Sequence, residues 1–156
     1  MAMRIRTTRR ERLGLNPSEH TEAVRFMRVV KLHEPRLPAL KWLHAVPNGG
    51  FRNDTVAKKM KAEGVRRGVH DYCWPYRRGE HAGLYLELKS LNGCPTKEQR
   101  AFGEFVAGQG FKVVYAKGWE EAWAAVAEYA GLPSAVNYAA SAQRARPRRT
   151  PTSCTC

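Results

Sequence analysis

One stretch of alternating residues, positions 83–90, constrains the fold of this chain more than any other; it reads Gly-Leu-Tyr-Leu-Glu-Leu-Lys-Ser. Successive side chains of a β-strand point to opposite faces, so the alternation predicts a strand with one apolar face. That face, expected in the core, carries Leu84, Leu86 and Leu88. The opposite face carries Glu87 and Lys89 beside Tyr85. An acid and a base two residues apart most often form a solvated strand face, so the pair has chemical meaning only if another carboxylate reaches it.

Asp71 is the candidate for that second carboxylate. Residues 69–74 have strand character, and the turn-like segment 76–81 that follows predicts a hairpin bringing Asp71 close to Glu87. Two carboxylates at close range repel unless a cation lies between them. Mg²⁺ suits such a place, because it is held by one or two carboxylates together with water and substrate phosphate. The alternative, that Asp71 only starts a turn or caps a helix, fits the residues equally well.

The charge of the chain points to a polyanionic partner. Its 156 residues are 43% hydrophobic, enough for one folded domain, and carry a formal net charge of +13. DNA is the first expectation for that partner and an anionic membrane surface the second. No apolar run is long enough to span a bilayer, and the basic start lacks the apolar run of a secretory signal. We therefore expect an intracellular protein that uses no membrane.

Basic extensions are expected at both ends of the chain. Residues 1–17 form an arginine-rich arm, and residues 132–156 form a tail with four arginines and no acid. The tail has too few apolar residues to order itself, and we expect it to be flexible and to add salt-sensitive affinity for DNA. The folded domain is then residues 18–131.

Within that domain the patterns predict helix, strand, helix, strand, strand, helix, strand, helix. Ser18 caps the first helix, and Thr96 caps the third in a capping box with Gln99. Apolar spacing directs certain side chains of the second and third helices inward: Val56, Ala57, Met60, Phe102, Phe105 and Val106. This order predicts a single α/β domain with a mixed central β-sheet flanked by helices on both faces.

Two acids lie in the first turn of the first helix. At about 100° per residue, Glu19 lies roughly 30° from the centre of the apolar stripe and Glu22 roughly 90° from it. Glu19 is thus the acid directed inward. It is a site residue if the helix end abuts Asp71 and Glu87, and otherwise only a capping charge.

A second set of residues is suited to DNA. Pro47-Asn48-Gly49-Gly50 is a turn signal, and two glycines let backbone approach another surface closely. Taken alone, this turn indicates a hairpin or loop, and a phosphate-cradling role is the minority interpretation. Basic residues follow the turn and lie in or after the second helix: Arg52, Lys58, Arg66 and Arg67. A solvated helix face and a DNA-facing surface explain these charges equally well.

Five motifs, in this order, resemble the VRR-NUC domain of the PD-(D/E)xK nuclease superfamily, of the stand-alone type in phages and bacteria. They are Ser18-Glu19-His20, Val46-Pro47-Asn48-Gly49-Gly50-x-Arg52, Lys61-Ala62-Glu63-Gly64-Val65-Arg66-x-Gly68-Val69-x-Asp71, Leu86-Glu87-Leu88-Lys89 and Thr96-x-Glu98-Gln99. The resemblance implies a restriction-endonuclease-like fold over most of residues 18–131. It also implies a Mg²⁺-dependent deoxyribonuclease, with Mn²⁺ as a substitute ion.

The resemblance assigns roles to individual residues. Asp71 and Glu87 match the metal-binding acids, with the backbone carbonyl of Leu88 as a further ligand, and Lys89 matches the catalytic lysine. Glu19 matches the first-helix acid, an assignment that Glu22 could exchange with it. Gln99 matches the glutamine after the core motif, and the loop Asn48, Gly49, Gly50, Phe51 and Arg52 matches the signature turn beside the site. Two positions depart from the family pattern, where His70 replaces a common proline and Cys73 replaces an aliphatic residue.

The expected activity is therefore hydrolysis of DNA phosphodiester bonds, selective for branched structures such as Holliday junctions in repair or recombination. Stand-alone members resemble resolvases that cut two strands symmetrically, which implies a homodimer. The alternative is a non-catalytic DNA-binding or packaging accessory protein that keeps the nuclease fold.

Overall fold

The computed structural model describes residues 15–47 and 54–132. In chain order the elements are α1 (Glu19–His33), a 3₁₀ helix (Pro38–Trp42), β1 (His44–Ala45), α2 (Asp54–Ala62), β2 (Tyr72–Trp74), β3 (Gly83–Lys89), α3 (Lys97–Gly108), β4 (Phe111–Lys117) and α4 (Gly118–Ala130). The expectations for the basic arm up to residue 14, the turn at 48–53 and the tail from residue 133 lie outside the described residues.

The strands form one mixed sheet in the order β1-β2-β3-β4. β2 and β3 make the antiparallel hairpin that the sequence predicts, with Tyr72 opposite Leu86. β4 runs parallel to β3, with Tyr115 opposite Glu87, and α3 makes the crossover between these two strands. The predicted element order and the α/β fold class with a mixed central sheet are confirmed.

The core lies on the face of β3 that carries the three leucines. Leu84, Leu86 and Leu88 are buried there, under α1 and α4. Phe26 of α1 meets Tyr72 edge to face, with ring centroids 5.0 Å apart. α4 contributes a buried stripe that includes Trp123 and Val126 to the same cluster. The leucine alternation thus identified the core face correctly.

Local capping signals fix where the helices begin and end. The hydroxyl oxygen of Ser18 accepts the N–H of Thr21 at 3.2 Å at the start of α1. Thr96 and Gln99 form the reciprocal capping box at the start of α3. Gly131 ends α4 with a φ of 70°, a left-handed conformation that glycine adopts without steric cost. Each of these ends lies within one residue of its predicted position.

α3 covers the opposite face of the sheet. Two predictions of buried side chains, one on α3 and one on α2, are wrong. Phe105 is 63% exposed, because the buried stripe of α3 passes through Gly103 and Val106 and leaves Phe105 to one side. On α2, Val56 is 44% exposed, whereas Met60 is half-buried. The side chain of Ala57 lies outside the description.

Within residues 15–47 and 54–132, no helix is both long enough and apolar enough to cross a membrane.

Candidate active site

The hairpin places the two predicted acids side by side. Continuing the antiparallel register one residue beyond Tyr72 and Leu86 sets Asp71 opposite Glu87. The Leu88 N–H donates to Oδ2 of Asp71 at 3.0 Å, and the charge of Asp71 acts on Glu87. The two acids are therefore neighbours, and the carboxylate of Glu87 lies on the side of the sheet that α3 covers.

The two oxygens of the Glu87 carboxylate have different surroundings. The side chain is fully buried, with 0% exposure. Oε1 lies 2.7 Å from Nζ of Lys89 and also accepts the side-chain amide of Gln99. Among the residues that the structure describes, Oε2 has no hydrogen-bond partner. One oxygen is thus held by two donors, while the other is open.

Burial shapes the electrostatics of this group. It raises the pKa of Glu87 to about 7, and the charge of Asp71 adds to the increase while the Lys89 ammonium opposes it. Burial also raises the pKa of Asp71, against the opposing effect of the Leu88 hydrogen bond. Burial lowers the pKa of Lys89, but its hydrogen bond and ion pair with Glu87, with smaller contributions from Glu19 and Asp71, outweigh this, and the net pKa is raised. Two neighbouring acids with raised pKa values favour a bound cation, which would stabilise their charged forms.

Gln99 has two roles. Its Oε1 accepts the Thr96 N–H at 2.8 Å, which completes the predicted capping box. Its amide Nε2 donates to Oε1 of Glu87. The same side chain therefore caps α3 and orients the buried acid of β3.

The first-helix acids are oriented differently from the prediction. Glu22, not Glu19, points into the core, where its Oε2 accepts the Trp119 N–H at 2.7 Å. Glu19 is exposed, but its Oε1 lies 3.3 Å from the backbone N–H of Ser90, just beyond β3. Its charge also acts on both Asp71 and Lys89. The error arose because the candidate site lies at the end of β3, so the side chain that faces the site does not face the core.

The structure describes some of the remaining predicted site residues and not others. The N–H and C=O groups of one strand residue point to the same edge, so the carbonyl of Leu88 faces the side on which Asp71 lies. Lys58, Arg66 and Arg67 are exposed. The pKa of Glu98, at the start of α3, is lowered mainly by its own hydrogen bonds and further by the charge of Arg67. The loop residues Asn48, Gly49, Gly50 and Arg52 lie outside the described residues.

Two residues at this site were not predicted. His70, noted only as a departure from a family pattern, is fully buried, and its Nε2 lies 3.1 Å from the backbone oxygen of Gln99. The Tyr115 hydroxyl donates to the same oxygen at 3.2 Å. Strand alternation would put His70 on the core face with Tyr72, but β2 begins only at Tyr72, so the alternation does not extend to residue 70. The sequence offers no signal for this pair of contacts.

The donor set fits Mg²⁺ better than zinc. In the described part of the chain, no three His, Cys, Asp or Glu side chains form a metal-binding cluster. Two carboxylates and a backbone carbonyl are too few for a structural zinc site, whereas Mg²⁺ uses one or two carboxylates and keeps several waters. The partnerless Oε2 of Glu87 is a buried oxygen that such an ion would satisfy.

Comparisons with known proteins find a likeness among solved structures. No family model matches the sequence, and no curated protein matches it. Among solved structures, the chain is similar to one described as a "VRR_NUC domain protein". The two share 27% identity over 69% of this chain and 87% of the other, with a TM-score of 0.56. This likeness supports the VRR-NUC resemblance that the sequence motifs indicate, and it agrees with the observed α/β fold.

Proposed function

We propose that this chain is a metal-dependent DNA endonuclease of the VRR-NUC type within the PD-(D/E)xK superfamily. The observation that carries the proposal is the group formed by Asp71, Glu87 and Lys89 at one end of the hairpin, in which one buried carboxylate oxygen is left open. The net charge of +13 favours a polyanionic substrate. The likeness to a VRR_NUC domain protein supports the same activity.

Asp71, Oε2 of Glu87 and the carbonyl of Leu88 would hold Mg²⁺, with Mn²⁺ as a substitute. Such an ion, when bound, supplies Lewis-acid polarisation of a phosphate oxygen and lowers the pKa of water. Lys89, fixed by its ion pair with Glu87, supplies a positive charge that orients water or stabilises negative charge developing on the phosphate. Glu19 of α1, whose side chain lies beside the end of β3, would hold a water molecule or a second ion.

Gln99 and the basic residues complete the proposed machinery. Gln99 holds Glu87 in orientation, so we count it with the catalytic group. The turn with Asn48, Gly49, Gly50 and Arg52, together with Lys58, Arg66 and Arg67, would contact the DNA backbone. We propose branched DNA, such as a Holliday junction in repair or recombination, as the substrate, and a homodimer as the cutting unit, since symmetric incision needs two sites.

The proposal is tested by incubating labelled plasmid, duplex, nicked, flap and four-way-junction DNA with the protein in Mg²⁺, in Mn²⁺ and in EDTA. Asp71→Asn should lose divalent-ion binding and cleavage together. Lys89→Ala should lose at least about 100-fold in cleavage rate while keeping most of its DNA affinity in gel-shift assays. Lys31→Ala, a matched change at an exposed lysine at the far end of α1, should leave cleavage unchanged.

The competing function is a non-catalytic DNA-binding accessory protein. Wild-type protein that binds these DNAs but cuts none of them in either ion would establish that function and refute the nuclease. The cost of burying Glu87 next to Asp71 argues against it, because a protein that only binds DNA gains nothing from keeping two repelling acids together. Light scattering of the protein with and without junction DNA tests the proposed homodimer.

A further inference from the structure

Two side chains converge on one backbone oxygen beside the candidate active site. His70 Nε2 and the Tyr115 hydroxyl lie 3.1 and 3.2 Å from the carbonyl oxygen of Gln99. A carbonyl oxygen can only accept, so both groups donate to it, and the proton of a neutral His70 ring is on Nε2. The other ring nitrogen, Nδ1, is buried without a partner among the described residues.

Close packing holds this arrangement in place. The His70 ring meets Phe102 and Tyr115 edge to face, each with a centroid separation of 5.1 Å. A Cβ atom at Gly103 would overlap the Tyr115 hydroxyl and come within 3.2 Å of His70. At Gly68, a Cβ atom would lie 2.7 Å from the backbone of Glu98. The first turn of α3 can approach the sheet this closely only because these two positions are glycine.

Gln99 lies in the first turn of α3, and its side chain reaches the buried carboxylate of Glu87. Tyr115 is the register partner of Glu87 on β4, so its hydroxyl extends from the strand beside the acid. The Gln99 amide donates to Oε1 of Glu87, the oxygen that Lys89 also contacts. With both donors on Oε1, the carboxylate is turned so that Oε2 is the open oxygen.

From these contacts we infer that His70 and Tyr115 are positioning residues, which hold the Gln99 backbone so that its amide fixes Glu87 with Oε2 presented to a divalent ion. The inference rests on the proposed metal-dependent function. Neither side chain needs to touch the ion or the DNA, since both act through Gln99. Outer residues that orient a metal-binding side chain typically contribute about 10- to 100-fold to metal affinity.

The test measures Mn²⁺ affinity by titration calorimetry in the absence of DNA, so that it does not depend on cleavage. Tyr115→Phe removes one donor and keeps the ring, and we expect it to weaken Mn²⁺ binding about tenfold. Gln99→Ala removes the amide but keeps the backbone carbonyl. In a Gln99→Ala background, Tyr115→Phe should still lower the unfolding midpoint, because the bond to the carbonyl is lost, but should weaken Mn²⁺ binding no further.

Matched variants separate positioning from general stability. Tyr129→Phe removes another hydroxyl that donates to a backbone carbonyl, that of Tyr76 at 2.6 Å, and should lower stability without changing Mn²⁺ affinity. His70→Gln keeps a donor at a similar reach and should retain more Mn²⁺ affinity than His70→Met, which has similar size and no donor.

The outcomes distinguish the inference from the function on which it rests. If wild-type protein binds Mn²⁺ and the Tyr115→Phe protein binds it equally well, the inference is overturned and the nuclease proposal stands. The same holds if Tyr115→Phe weakens binding equally with and without the Gln99 side chain. If wild-type protein binds neither Mn²⁺ nor Mg²⁺, both the proposed function and the inference are refuted.

Discussion

At the scale of single residues, the candidate site centres on a buried glutamate whose two carboxylate oxygens differ in their hydrogen bonds. Lys89 and Gln99 both donate to Oε1 of Glu87, which leaves Oε2 as the open position. A carboxylate in this state is costly to keep charged when no metal ion is bound, because burial and the neighbouring Asp71 oppose its ionisation more than Lys89 favours it. The residue thus links the stability of the protein to pH.

The first prediction concerns that pH dependence in EDTA. The pKa of Glu87 is raised to about 7 in the folded protein from its ordinary value of 4.5, so the folded state holds the proton more tightly. The stabilisation that this proton gives is complete below about pH 4.5 and is lost as the pH rises through about 7, a change of at most about 3 kcal/mol. Wild-type protein should therefore lose stability relative to Glu87→Gln between pH 4.5 and 8, as measured by urea unfolding.

The same experiment has a control at another glutamate. Glu80→Gln makes the same chemical change at an exposed side chain in the turn between β2 and β3, and its stability is measured over the same pH range for comparison. A Glu87→Gln difference that does not change with pH would show that the buried carboxylate does not titrate as described.

Some of this site could be predicted from residues alone. The spacing of Glu87 and Lys89 on one strand face, and the capping box of Gln99 with Thr96, follow from local periodicity and were correct. The contact between the Gln99 amide and Glu87 could not be predicted in this way, because it depends on how α3 is placed over the sheet. The roles of His70 and Tyr115 depend on the same placement.

At the scale of elements, α1 carries two acids with different duties. Glu22 accepts the Trp119 N–H at 2.7 Å and joins α1 to the start of α4, whereas Glu19 contacts the backbone just after β3. Within one turn of α1, Glu22 therefore stabilises the fold, while Glu19 lies at the candidate site.

The second prediction follows from this division. Glu22→Ala should destabilise the protein by about 2 to 3 kcal/mol, because it removes a buried acceptor and the partner of Arg25. Glu19→Ala should change stability by less than about 0.5 kcal/mol, as expected for an exposed residue, and should lower the cleavage rate. Thermal unfolding and cleavage per folded molecule distinguish the two acids. A large loss of stability in Glu19→Ala would contradict this division.

The third prediction concerns the docking of α3. Gly103→Ala places a methyl group against the Tyr115 hydroxyl and His70, and should destabilise the protein by about 1 to 3 kcal/mol. Gly108→Ala, in the same helix, meets no atom within 4 Å and should stabilise it by about 0.5 kcal/mol through helix propensity. Chemical denaturation measures both changes. Similar effects at the two glycines would show that α3 does not pack as closely as described.

The order of the helices and strands was predictable, but how much of each helix surface is buried by its neighbours was not. Capping signals and periodicity gave the order of the α-helices and strands, but not the 3₁₀ helix Pro38–Trp42, which lies where part of the first strand was expected. The same spacing wrongly put Phe105 and Val56 inside, because a period of 3.6 residues groups side chains on a face without stating how much of that face a neighbour covers.

At the scale of the whole molecule, the excess positive charge suits the proposed binding to DNA. The chain carries a formal net charge of +13, and its last 25 residues include four arginines and no acid. Phosphate contacts by such residues release counterions, so affinity falls steeply with salt concentration.

The fourth prediction is that the tail accounts for part of that salt dependence. Deleting the residues after Gly131 should reduce the slope of log affinity against log salt by up to about 3 to 4, since each arginine that neutralises a phosphate contributes about 0.9. A full-length protein with Arg144, Arg146, Arg148 and Arg149 changed to Gln should behave in the same way. Fluorescence anisotropy with labelled duplex measures the slope. An unchanged slope in both proteins would show that the tail does not contact DNA.

One edge of the sheet affects how copies of the protein meet one another. In the part of the chain that the structure describes, β1 is the outer strand on that side and is two residues long. A strand this short offers too few free backbone groups for another copy to extend the sheet. This edge is therefore a poor template for aggregation when copies come close together, as they would on the proposed DNA substrate.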